Sequence, residues 1–76
     1  MHEHKIVEIK ERHVINRDYE AVWMMMDCPV MPEKVVVARR SLSVGDVFDP
    51  HFSNENVVGR FPPSEYGFDL ACDLLT

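Results

Sequence analysis

Proline stands at positions 29, 32, 50, 62 and 63, and these five residues decide where regular structure can run. With φ fixed and no amide proton, proline resists the helix interior and the central strand alike, so each marks an element end. Pro29 and Pro32 bracket a short connection, Pro50 closes a turn, and Pro62-Pro63 makes a hard break. The 76 residues leave room for one small domain, residues 1–76, with 1–4 expected to be flexible. A chain of this size buries only about 60% of the surface its unfolded form exposes, so its stability margin is thin. No apolar run approaches the roughly eighteen residues that span a bilayer, and no signal-peptide core follows the polar start Met1-His2-Glu3-His4-Lys5. A cytoplasmic location is the expectation from those two readings.

Between the prolines, Lys5 to Ile15 reads as a strand with Val7, Ile9, His13 and Ile15 on one face and Lys10 and Arg12 on the other. Glu11 breaks that pattern by falling on the apolar face. Asn16-Arg17-Asp18 favours a turn, because Asn and Asp side chains bond their own backbone. Tyr19 to Met26 fits two templates. As a helix it stripes Tyr19, Val22, Trp23 and Met26, and as a strand it continues a hairpin out of the turn. Its shortness before a proline tilts the choice to the hairpin. Val35-Val36-Val37-Ala38 is apolar on both faces and β-branched, as a central strand buried on both sides would be. Leu42 to Phe48 wraps a tight turn in which Gly45 supplies positive φ. Asp49 to Asn56 is polar and loop-like. Asn56 to Phe61 is a short strand, with Gly59 marking a bulge or a close approach.

After the double proline, Ser64 is a good helix N-cap, and Ser64 to Leu75 is expected to form a C-terminal helix. Tyr66, Gly67, Phe68, Leu70, Ala71, Leu74 and Leu75 spread over a broad apolar arc. Glu65, Asp69 and Asp73 share the narrow remainder, which faces outward. The expected fold class is α+β: a small, mostly antiparallel sheet of three to five short strands closed by one C-terminal helix.

Charge adds an address to this outline. Thirteen acids face eight bases, for a formal net charge of −5, which argues against a basic nucleic-acid binder or a polybasic membrane anchor. Residues 1–40 hold seven of each sign, so the whole imbalance lies in residues 41–76, where Arg60 is the one base. The acidic stripe Glu65, Asp69 and Asp73 is either a solvated face or a surface that meets a basic patch on another protein. Arg39-Arg40 concentrates positive charge, but successive strand residues diverge, and salt bridges to nearby acids are expected there.

Catalytic and metal chemistry have little to build on. Two cysteines, Cys28 and Cys72, are too few for a disulfide scaffold and read as partly buried hydrophobes. Only His2 and His4 form a close pair, whereas structural zinc needs four ligands, usually as two such pairs. Asp46 and Asp49 sit beside Gly45 and Pro50 as ordinary turn residues. No phosphate-loop, dinucleotide or nucleophile-elbow motif occurs. No catalytic residue, metal ligand or cofactor is assigned.

Trp23-Met24-Met25-Met26 is the unusual stretch. In a strand, Trp23 and Met25 share one face while Val22, Met24 and Met26 share the other. Methionine fills irregular gaps and adapts to partners, so this segment is either core on both sides, a dimer seam, or a partner-binding face.

Val35 to Pro63, VVVARRSLSVGDVFDPHFSNENVVGRFPP, resembles the core of SAF-type β-clip domains. Those domains run a valine-rich strand, an arginine, an apolar-x-x-Gly turn and a returning segment that ends in Arg-x-Pro. The likeness covers under half the chain and implies a strand, a glycine turn and a strand. It carries no site residue to this sequence.

The function expected from these residues is a non-enzymatic protein-binding module. It regulates or inhibits a larger macromolecular partner by occlusion, a build shared by small phage or mobile-element regulators. Its contact residues would be Trp23, Met24, Met25, Met26, Glu65, Asp69 and Asp73, and acidic DNA mimicry is a sub-case. The alternatives are a homo-oligomeric structural protein with a Trp/Met seam, and a small metal- or thiol-dependent enzyme.

Overall fold

The computed structural model describes residues 3–39, 41–49 and 56–75. Its elements run β1 (His4–Val14), β2 (Glu20–Met26), β3 (Glu33–Ala38), β4 (Val47–Phe48), β5 (Val57–Phe61) and α1 (Glu65–Asp73). The strands form one sheet in the order β4-β1-β2-β3-β5, antiparallel at every pairing, with α1 across one face. This is the expected α+β architecture. Arg40, Pro50 and most of the loop expected over Asp49 to Asn56, His51 included, lie outside the described residues, as do Met1 and His2. His4 already belongs to β1, and its Nδ1 lies 3.2 Å from Asp27 Oδ1.

Of the stretch Tyr19 to Met26, Glu20–Met26 resolves as strand. The Asn16 side chain makes the turn before it, its Oδ1 accepting from the amides of Asp18 (2.9 Å) and Tyr19 (3.0 Å). The amides of Ile15 and Asn16 both donate to Tyr19 O, closing the hairpin. With β2 fixed as a central strand, alternation divides its apolar residues between two cores. Val22, Met24 and Met26 join Ile6, Val36, Ala38, Leu42 and Val57 on one face. Ala21 joins Val35, Val37, Phe68 and Ala71 on the other, with Trp23 packed at its margin. The valine run of β3 thus feeds both cores, as its composition implies.

The face assigned to β1 needs correction. Ile6 is fully buried and Val7 is half exposed, the reverse of simple alternation from Val7. Two bulges are the reason. Ile6 pairs with Met26 and Glu8 with Met25, then Ile9 with Met24 and Glu11 with Trp23. Each step sets two β1 residues against one on β2, with Val7 and Lys10 as the extra residues. Ile6 and Ile9 therefore reach the same core despite their spacing of three. Glu11, which looked misplaced on an apolar face, stands opposite Trp23 on the helix side.

Gly45 (φ 98°) turns the chain after Leu42, and the turn docks on β1: Gly45 N–H donates to Ile6 O and Ile6 N–H to Asp46 O. Val58 bulges out of the β3–β5 pairing, so Gly59 approaches Leu74 of the C-terminal segment.

The helix is capped as expected. Ser64 Oγ accepts from Gly67 N–H at 3.1 Å, and Ser64 O accepts from Phe68 N–H at 2.9 Å. Its expected apolar arc, however, is only partly used. Gly67, Phe68 and Ala71 are buried, while Tyr66, Leu70, Leu74 and Leu75 remain exposed. A Cβ at position 67 would sit 1.8 Å from Pro62 O, so the bare glycine seats the helix against the proline turn. That seat commits the narrow Gly67–Phe68–Ala71 side to the sheet and turns the neighbouring apolar residues outward.

Candidate binding face around Trp23

Trp23 leaves β2 on the helix side, half-buried, with Phe68 of α1 beside it. The two ring centroids are 5.9 Å apart and the planes are inclined by 34°. Lys10, pushed outward at the second bulge, places Nζ 4.8 Å from the centroid of the Trp23 ring. The same ammonium lies 3.0 Å from Glu33 Oε2, which also accepts from Trp23 Nε1. These two donors, Lys10 first, hold the Glu33 carboxyl below the usual glutamate value. The indole is thereby fixed in orientation by a charged acceptor on one strand and an ammonium from another.

On the helix side of the ring lies a cavity of about 190 Å³, lined by Glu11, Trp23, Glu65, Phe68 and Asp69. Three carboxylates thus surround an aromatic floor. Glu65 and Asp69 come from successive turns of α1, and Glu11 comes from its register opposite Trp23. Negative charge at this face is felt by Cys72. Burial first, then Asp69, Asp73 and Glu11, push its thiol above the ordinary cysteine value. Such a thiol yields little thiolate at neutral pH, the opposite of what a nucleophilic cysteine requires. Cys28 is buried in the connection between β2 and β3.

The residues singled out from the sequence divide into three groups. Trp23, Glu65 and Asp69 converge on the cavity. Asp73 is exposed one turn further along α1, on the same side of the helix but outside the cavity lining, and Met25 is half-buried on the Trp23 face of β2. Met24 (0% exposed) and Met26 (2%) lie inside the opposite core and present no surface to a partner. Alternation in a central strand dictates this outcome for every second residue of the methionine run. Sequence reasoning passed over Glu11, Phe68, Lys10 and Glu33. The signal for Glu11 was its violation of the β1 pattern.

Arg39, half of the expected basic pair, stacks its guanidinium 5.5 Å from the Tyr19 ring centroid. Among the described residues, no three His, Cys, Asp or Glu side chains are grouped as metal ligands would be. Nor is any helix there long and apolar enough to cross a membrane. No family model, no curated protein and no solved structure matches this chain.

Proposed function

We propose that this chain is a small non-enzymatic protein-binding module that covers a surface of a larger macromolecular partner and regulates or inhibits it by occlusion. The observation that carries the reading is the cavity in which Trp23 of β2 meets Glu65 and Asp69 of α1, more than forty residues further along the chain. An aromatic floor ringed by carboxylates suits a lysine or arginine side chain, through ring-face attraction and direct ion pairing together. The charge distribution supports it, since α1 carries three acids and no base and would steer a basic partner toward this face. The test begins with affinity capture from the native cell to identify the partner. Association rates are then measured across a salt series. Reversal of Asp69 and Asp73 to lysine is expected to slow association about tenfold at low salt and to flatten its salt dependence. Unchanged on-rates would remove the acidic face from the account.

A second reading is favoured by one specific observation. Tyr66 (70% exposed), Leu70 (39%) and the C-cap residue Leu74 (44%) recur every four residues along α1 and its end. That ridge, rather than the buried methionines, would serve as the seam of a homo-oligomer.

A further inference from the structure

The double proline leaves an opening on the far edge of the sheet. β5 stops at Phe61 because neither Pro62 nor Pro63 has an amide to continue the ladder. On that side, pairing with β3 begins only at Val35 opposite Phe61, whereas on the β2 side it begins at Glu33. A groove of about 270 Å³ lies beside this unmatched start of β3, its walls including Met31, Lys34, Val36, Arg60, Phe61 and Pro63. It shares no lining residue with the Trp23 cavity.

Two cations meet at the groove. Arg60 stands directly opposite Val36, and Lys34 precedes Val36 by two residues, so both belong to the sheet face away from α1. Burial pulls the Lys34 ammonium below its usual value; Cys28 opposes that shift and the charge of Arg60 adds to it. An anion placed here would counter the charge of Arg60 on Lys34. The carboxylate in the wall, Glu33, has Oε2 held by Lys10 and Trp23. The rest of the lining is hydrocarbon, and the volume falls just below the roughly 300–1,000 Å³ of drug-sized ligand sites.

We propose that this groove binds a small free monocarboxylate with an apolar body, its carboxylate on Lys34 and Arg60 and its hydrocarbon against Met31, Phe61 and Pro63. The groove meets the Trp23 face only through Glu33, which lines its wall and accepts from the indole. The test titrates the isotope-labelled full chain with phenylbutyrate and, separately, with the neutral phenylbutanol, following backbone amide resonances. Saturable shifts are expected at Lys34, Val36 and Arg60 with the acid, and binding of the alcohol is expected to be at least about tenfold weaker. Lys34→Gln and Arg60→Gln should each weaken the acid by about tenfold, with the remaining spectrum reporting an intact fold. The proposal is overturned if the acid gives no saturable shift, if the shifts map elsewhere, if the alcohol binds as tightly, or if neither variant weakens binding.

Discussion

Glu20 is the one charged residue that is buried among the described residues, at 4% exposure, and its surroundings account for its position. Oε1 lies 3.2 Å from Arg12 Nε on β1, and Oε2 accepts from Leu42 N–H at 2.7 Å. One carboxylate thereby ties β1 and β2 to the segment that covers the first core. Glu20→Gln keeps an acceptor but brings an amide NH₂ against one of the two donors. A loss of about 1.5–3 kcal/mol is expected in urea unfolding, the scale of a charged hydrogen bond. Arg12→Ala, which removes a partner more than a third exposed, should cost less, about 1 kcal/mol or under. Glu33 allows a pH prediction. Lys10 and the Trp23 indole hold its folded-state carboxyl below the usual glutamate value. Its contribution to stability is therefore complete above the unfolded-state value and is lost as pH falls through the lower folded-state value. Trp23 is the only tryptophan, so its fluorescence should change in acid with a midpoint below the ordinary glutamate range. Glu33→Gln should abolish that step, and a step that persists would assign it to another group.

At the scale of elements, the helix seat makes the sharpest claim. In an exposed helix interior, Gly→Ala stabilises by about 1 kcal/mol. At Gly67 the new Cβ would meet Pro62 O at 1.8 Å, so the sign reverses. Gly67→Ala is expected to lose about 1–3 kcal/mol as the helix shifts off the proline turn, read as a lower unfolding midpoint. A midpoint at or above the parent's would show that the helix does not depend on this contact. The elements whose signals are local were legible in the sequence: the Asn16 turn, the β-branched run of β3, the Gly45 turn and the Ser64 cap. The two bulges of β1 were not. A bulge inserts a residue without a compositional mark, and Val7 and Lys10 are ordinary strand residues. The same limit applies to the candidate site. Trp23, Glu65 and Asp69 stood out singly, but their meeting depends on the register of Glu11 against Trp23 and on where Gly67 lets the helix lie. Met24 and Met26 face the core for a related reason, since exposure in a central strand is decided by what covers each face.

For the molecule as a whole, the acidic stripe and the apolar ridge share one helix. Tyr66, Leu70 and Leu74 each follow an acid of the stripe Glu65, Asp69 and Asp73 by one residue, about 100° around the axis. Two copies meeting through the ridge would therefore bring three carboxylates from each into one neighbourhood. That repulsion is screened over about 10 Å at 0.1 M salt and reaches further at lower ionic strength. Self-association through α1 is expected to be weakest at low salt and to strengthen as salt rises. Binding of a basic partner at the same helix should move the other way, because salt weakens that attraction. Sedimentation velocity over a salt series separates the two modes. Leu70→Gln, at a position 39% exposed, should suppress salt-promoted self-association and leave the salt dependence of partner binding unchanged. Self-association that weakens with salt, or that survives Leu70→Gln, would place the seam elsewhere on the molecule. Loss of partner binding in the same variant would show that the ridge and the acids work as one surface.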